Sequence, residues 1–172
     1  MGAKGFYAME EGWWIPLYVP RDLNPLAAAE SPRCVSMKNF QHASILVSFG
    51  TDGPIAPSVI TVHALDAIPT PSNHAPINFR YRRYETSSLL ADGDVPGAIT
   101  WTTTGAAGLI PVATAVCTMY AIEIDADELG SGYVGFRLAI GDPAAASICS
   151  AICLLSAPRY APLGTTQAPL YV

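Results

Sequence analysis

Apolar and other residues alternate one by one along several segments of this chain, and this period of two constrains the fold more than any other feature. The clearest case is residues 133–140, YVGFRLAI, in which Val134, Phe136, Leu138 and Ile140 alternate with Tyr, Gly, Arg and Ala. Such alternation is typical of strands with one buried face. Further strand candidates are CVSM, SILVSFG, VITVHAL, INFRYRRY, AITWTTT, AVCTMYAIEI and SICSAICLLS.

These candidates amount to about eight strands with no long helix between them, and they indicate an all-β fold. Parallel sheets need long crossover connections, usually helices, for which this chain has no room. The length of 172 residues suits one domain and is short for two. We therefore predict an antiparallel β-sandwich, with a jelly roll as the version that best fits about 120 core residues.

The two ends of the chain differ from the middle because prolines are concentrated in them. Proline fixes φ and removes a backbone donor, which suits a segment laid across a surface. We predict an extended N-terminal arm at residues 1–34, the sandwich at residues 35–156 and an extended C-terminal tail at residues 157–172.

Aromatic and arginine side chains supply the candidate interface positions. Aromatic side chains on the two arms would carry binding energy if they fill a partner's pocket, or else they cover the chain's own sandwich. The cluster RYRRYE at residues 80–85 suits a protein interface, and the alternative is a solvated strand face. The candidate residues are Trp13, Trp14, Tyr18, Arg80, Arg82 and Tyr171.

Two ligand-binding signatures overlap between residues 124 and 140, and neither has the context that it needs. Gly130, Gly132 and Gly135 spell G-x-G-x-x-G, but a strand pattern follows where a dinucleotide site needs a helix. A calcium loop that begins at Asp125 would have leucine at its fifth position and Phe136 at its twelfth, where oxygen ligands belong. We expect a turn between strands, with Gly130 and Gly132 at positive φ.

The sequence gives no reason to propose catalysis, a cofactor or a metal site. It contains neither a G-x-S-x-G elbow nor an H-E-x-x-H pair, and His42, His63 and His74 stand apart. The four cysteines lack zinc-ligand spacing. Cys149 and Cys153 would lie about 13 Å apart on one strand face, too far for a disulfide. We expect small buried thiols.

Charged residues make up only 13% of the chain, about half the usual fraction, so much of the exterior is expected to be uncharged. A surface covered by partners would explain this composition. No apolar run reaches the roughly 18 residues of a spanning helix, so we expect no membrane insertion. A net charge of −5 with nine basic residues argues against nucleic acid as a partner, and the N-terminus lacks the pattern of a secretory signal.

The last third of the chain combines an acidic corner in YAIEIDADEL, an alternating strand in GYVGFRLAIGDPAAAS and a final strand that closes on APRY. This succession resembles small strand-rich virion structural proteins of tailed bacteriophages, and the likeness extends over roughly residues 35 to 160. The resemblance implies a non-enzymatic decoration, or cement, protein that is jelly-roll-like and oligomeric. Such a protein is made in the host cytoplasm and clamps neighbouring subunits of the major capsid protein on the capsid exterior.

Several alternatives stay open at this point. A homotrimer is a natural expectation because the local three-fold sites of a capsid match a cyclic oligomer. A head–tail connector, a tail component or a coat protein belongs to the same class of virion proteins. A carbohydrate-binding jelly roll, with Trp101, Tyr120 or Tyr133 stacked on sugar rings, belongs to another class. A cupin-like enzyme would need clustered histidine and carboxylate ligands.

Overall fold

The computed structural model describes residues 12–22, 33–50, 59–68, 70–85, 98–102, 108–109, 118–141 and 147–158. Within these ranges the chain forms antiparallel strands and one short 3₁₀ turn, and no helix there is long and apolar enough to cross a bilayer. The strands are β1 (Trp13–Asp22), β2 (Cys34–Ser36), β3 (Phe40–Phe49), β4 (Ile60–Leu65), β5 (His74–Ile77), β6 (Arg80–Glu85), β7 (Thr100–Trp101), β8 (Thr118–Asp125), β9 (Gly135–Ile140) and β10 (Ile148–Pro158).

The strands pair as a folded antiparallel ribbon. β1 pairs with β10, β2 with β9, β3 with β8 and β4 with β5. In the first three of these pairs, a strand from the first part of the chain lies antiparallel to a strand from the last part. Pairing of β10 with β3 and of β4 with β9 rolls this ribbon into two sheets. The larger sheet has the order β1-β10-β3-β8-β6-β7, and the smaller sheet has the order β2-β9-β4-β5. The predicted antiparallel sandwich is confirmed, and its strand pairing is that of a jelly roll.

The hydrophobic core lies between the two sheets and is built from alternate residues of the strands. In β8 the burial alternates at every position, and in β3 the side chains of Ile45, Val47 and Phe49 are buried while those between them face outward. The largest fully buried side chains come from both sheets. They include Tyr120, Phe40, Phe49, Phe79 and Phe136.

Strand β1 brings part of the predicted N-terminal arm into the larger sheet. Pro16 and Pro20 lie within it, which an edge strand tolerates because only one of its sides is paired, and the register with β10 is irregular there. Ile15 and Leu17 are buried in the core. The sandwich therefore includes residues 13–22 and does not begin at residue 35. Of the predicted C-terminal tail, only residues 157–158 are described, and they end β10.

The corner that follows β8 accounts for the glycine signature. A 3₁₀ turn, Ala126–Leu129, leads from the larger sheet to β9 of the smaller sheet. Gly130 and Gly132 have φ values of 85° and 87°, so the predicted positive φ is confirmed. A Cβ on Gly135 would lie 2.2 Å from the backbone oxygen of Val35, so the close approach of β2 requires glycine. Gly130 and Gly132 thus shape the corner, and Gly135 begins the strand that follows it.

The cysteines of the described ranges are buried thiols that form no disulfide, as the sequence predicts. Cys34, Cys149 and Cys153 belong to this group, and Cys117 lies outside the described residues. Burial raises the pKa of the Cys149 thiol to about 12, and it raises the pKa of the Cys153 thiol further. These thiols are therefore protonated and act as small apolar side chains.

Candidate functional site

The outer face of the larger sheet is the candidate site, because strand register aligns chemically distinct side chains in rows across it. A central row runs from β1 to β7 through six strands. The next row runs parallel to it from β1 to β6. The first row is Trp14, Leu154, Ser44, Glu123, Arg80 and Trp101, and the second is Pro16, Ile152, Leu46, Ala121 and Arg82.

On β1, β10 and β3 this face carries a cluster of apolar side chains, although Ser44 and His42 of β3 also point outward. Trp14 is 41% exposed and lies beside Leu154, and Pro16 is exposed beside Ile152. Leu46, Ile152 and Leu154 are half-buried although they point away from the core. We call Trp14, Pro16, Leu46, Ile152 and Leu154 the apolar region. Its two aligned rows place no charged side chain on these three strands.

The other half of the face holds a network of ionic hydrogen bonds centred on His42. Its Nδ1 lies 2.6 Å from Asp125 Oδ1, and its Nε2 lies 2.5 Å from Glu123 Oε2. Ser44 Oγ donates to Glu123 Oε2 at 2.8 Å. Arg80 donates to Asp125. We call His42, Ser44, Arg80, Glu123 and Asp125 the charged region.

The turn after β8 and strand β7 hold the edge of the charged region in place. Glu128 Oε2 accepts a hydrogen bond from the backbone N–H of Asp125 at 2.8 Å, and Glu128 Oε1 lies 3.7 Å from the Arg80 guanidinium. The same guanidinium lies 5.3 Å from the ring centroid of Trp101. Arg80 is therefore fixed by two carboxylates and an aromatic face.

The hydrogen bond to Glu123, assisted by the bond to Asp125, raises the pKa of His42 to about 9 against the opposing effect of burial. The imidazole is consequently protonated at neutral pH. Burial would raise the pKa of Asp125, but the hydrogen bonds from His42 and Arg80 hold it below its ordinary value. His42 and Asp125 thus form an ionised pair.

His42, Ser44 and Asp125 are also the residue types of a nucleophilic triad, and Ser44 Oγ lies 3.3 Å from His42 Nε2. A triad needs a neutral imidazole that accepts the serine proton. Here both ring nitrogens donate to carboxylates, and the Ser44 hydroxyl donates to Glu123. The imidazole therefore has no free lone pair and does not activate Ser44. The network as a whole links strands β3, β8 and β6.

The outer face of the smaller sheet carries a different group of basic side chains. Arg137 lies opposite both His63 and Cys34, and the rings of His63 and His74 are 5.4 Å apart. Burial, then the nearby Arg137 and His74, lower the pKa of His63. Thr61 Oγ1 lies 3.2 Å from His63 Nε2. His63 is therefore neutral at neutral pH, in contrast to His42.

The predicted interface residues divide between the core and the surface. Trp14, Arg80 and Arg82 lie on the outer face of the larger sheet, whereas Trp13 packs partly buried against the core. Tyr18 is buried, and its hydroxyl donates to the carbonyl of Leu138 at 3.3 Å. Tyr18 thus links β1 of the larger sheet to β9 of the smaller sheet, and its buried ring is not available to a partner. Tyr171 lies outside the described residues.

The aromatic residues considered for sugar stacking are mostly not available for it. Tyr120 is 1% exposed and belongs to the core, so that expectation is wrong for this residue. Tyr133 is partly buried against the core. Trp101 is 51% exposed, and the Arg80 guanidinium lies over its ring.

Sequence reasoning missed the apolar region and the charged region as groups. Their members are far apart in the chain, since His42 and Glu123 are separated by 81 residues. The available signal was local: His42 with Ser44, and Glu123 with Asp125, are polar residues two apart in strand segments. Such pairs share one face of a strand, but only the register shows that they meet.

Comparisons of the chain with models of known protein families, with curated proteins and with solved structures found no match.

Proposed function

We propose that this chain is a non-enzymatic virion structural protein, specifically a decoration protein that clamps neighbouring subunits of the major capsid protein on the exterior of a bacteriophage head. The observation that carries the proposal is the apolar region. Its leucine and isoleucine side chains point away from the core beside an exposed tryptophan, on three hydrogen-bonded strands. Apolar side chains grouped on an outer face support contact with another molecule as the role of this surface.

The jelly-roll fold is compatible with the proposal but does not select it. Viral capsid domains, lectins and cupins all use double-sheet jelly rolls, and function depends on the site and not on the fold. The ionic network of the larger sheet supports a structural role because it engages its histidine and serine in hydrogen bonds to carboxylates. The sequence resemblance to phage virion proteins adds the class of particle.

The mechanism would be mass action on an assembled shell. A protein that binds only the mature lattice stabilises that lattice in proportion to its concentration and affinity, without making or breaking a covalent bond. A homotrimer at local three-fold positions would repeat the same contact three times. The apolar region would supply the buried part of each contact, and the polar surroundings would fix its orientation.

Sedimentation of purified protein with isolated phage heads that lack it tests the proposal. We expect saturable binding at a fixed ratio to the major capsid protein. Binding through the apolar region should persist at about 1 M salt, where contacts between exposed charges are screened. Protein that stays in the supernatant at every concentration would overturn the proposal. A regular array on the head, as opposed to a few copies at one vertex, separates a decoration protein from a connector or tail component.

A further inference from the structure

A groove lies at the β6 edge of the charged region and is distinct from the apolar region. It encloses about 210 Å³. This volume is below the roughly 300–1,000 Å³ of sites for small-molecule ligands, so it fits one or two side chains of a partner. The groove is lined by Arg80, Arg82, Tyr84, Ile99, Ala121 and Glu123, together with Tyr81.

The two arginines of the groove differ in their partners. Arg80 donates to Asp125 and lies over the ring of Trp101. Arg82 faces Ala121 across the strand pair, where a carboxylate would be needed for a cross-strand ion pair. Its Nε atom, like that of Arg80, is buried and has no hydrogen-bond partner in the part of the chain that the structure describes. Arg82 thus lines the groove as a cation and, unlike Arg80, forms no ion pair with a carboxylate of the described residues.

A buried guanidinium N–H without a partner is costly, and a carboxylate or a phosphate satisfies a guanidinium with paired hydrogen bonds. The other wall of the groove is apolar, since Ile99 is 62% exposed there. We infer that this groove binds an acidic side chain from an extended segment of a protein partner, with Arg82 as the anion-binding residue and Ile99 as the apolar contact.

Protein carboxylate is favoured over nucleic-acid phosphate by the charges around the groove. Glu123 also lines it and would repel a phosphate backbone that passes through. A phosphate backbone would bring several negative charges past Glu123, whereas a side-chain carboxylate at Arg82 brings only one. The chain as a whole is acidic, with a net charge of −5, and a phosphate-binding surface needs several cations together.

The inference rests on the proposed function for the identity of the partner, the major capsid protein, but not for the chemistry of the groove. The test uses the full chain and a blocked peptide, acetyl-Gly-Ser-Ile-Glu-Ser-Gly-amide, with the same peptide carrying Gln in place of Glu. Titration followed by NMR of the arginine Nε–Hε signals reports on the groove directly. A hexathymidine oligonucleotide is the competitor.

We expect the Glu peptide to bind and the Gln peptide to bind at least about tenfold more weakly, since hydrogen bonds to charged groups differ by that much. Arg82→Gln should lower the affinity of the protein for the Glu peptide by a similar factor. The matched control is Arg137→Gln, which removes the same charge from the smaller sheet, away from the groove. This control should bind like the wild type, and thermal unfolding verifies that both variants fold.

Equal binding of the two peptides, equal loss in both variants or no binding of the Glu peptide would overturn the inference. Tighter binding of the oligonucleotide that depends on Arg82 would also overturn it. If the wild-type protein binds to heads but does not bind the peptide, the inference about the groove is refuted and the proposed function stands. Protein that binds the peptide through Arg82 but never binds heads would refute the proposed function and leave the groove intact.

Discussion

The apolar region and the charged region share the outer face of one sheet and meet on strand β3, yet they are completed in opposite ways. In the charged region, Glu123 and Asp125 each receive hydrogen bonds from cationic side chains of the same chain. In the apolar region, Trp14, Ile152 and Leu154 point outward with nothing of the chain's own fold described above them. The first region is satisfied by partners within the described residues, and we propose that the second is completed by another molecule.

This difference implies that stability and association can be changed separately. Both regions use outward positions, so the core on the inner face does not depend on them. Substitutions in the apolar region should alter association more than folding. Substitutions in the charged region should do the reverse.

The largest expected effect is on association, and Leu154→Asp should produce it. An aspartate in a buried interface would lose apolar contact and place an unpaired charge away from water, so we expect binding to heads to fall by at least about 100-fold. The free energy of unfolding should change by less than about 1 kcal/mol, because Leu154 is an outward residue. Ala139→Asp, which adds the same charge to the outer face of the smaller sheet, is the matched control.

Equal loss of binding in the two variants would show that the two sheets do not differ in this way. Retained binding by the Leu154→Asp protein would remove the apolar region from the contact.

A smaller effect, on stability, is expected from Asp125→Asn in the charged region. The amide cannot replace the charge that both His42 and Arg80 contact, and we expect a loss of about 1–2 kcal/mol in the free energy of unfolding, limited by partial exposure. Chemical denaturation measures it. Asp127→Asn is the control, because Asp127 is exposed at the same corner. A loss no larger than that of the control would show that the network contributes little, and head binding should be unchanged in both variants.

Alkaline pH should weaken the charged region through His42. Its pKa is raised from an ordinary value of 6.5 to about 9 by the hydrogen bonds to Glu123 and Asp125. The stabilising contribution is therefore complete below about pH 6.5 and is lost as the pH rises through about 9. We expect wild-type stability to fall by about 1 kcal/mol more than that of His42→Gln over this interval. Parallel curves for the two proteins would contradict this assignment.

Acid should have the opposite and smallest effect, through His63 on the smaller sheet. Burial, with Arg137 and His74 nearby, lowers its pKa, so the folded protein resists a proton that the unfolded chain accepts. The contribution of neutral His63 to stability is therefore fully present above about pH 6.5, and it is lost as the pH falls below that value. His63→Gln should reduce this decline by less than about 1 kcal/mol. An unchanged acid limb in the variant would remove His63 as its cause.

Much of the fold follows from the sequence because period-two alternation reports directly which strand faces are buried. The segments of β3, β8, β9 and β10 are recognisable in this way, and so is the corner with Gly130 and Gly132. Strand β1 is not recognisable from the sequence pattern, because Pro16 and Pro20 suggest an arm. Only an edge position makes these prolines compatible with a sheet.

The candidate site follows from the sequence only in part. Trp14, Arg80 and Arg82 were candidates by residue type alone. Their neighbours Leu46, Ile152 and Glu123 join them through the pairing of strands that are distant in the chain. A shift of that register by one residue would exchange inner and outer faces, so no local pattern contains this information.

Cryo-electron microscopy of heads decorated with the protein tests the central claim most directly, because it shows which face of the sandwich touches the shell. We expect a regular array of jelly rolls in which Trp14, Ile152 and Leu154 are covered by the major capsid protein or by another copy of this chain. An array in which the outer face of the larger sheet is open to solvent would contradict the account, and so would heads without bound protein.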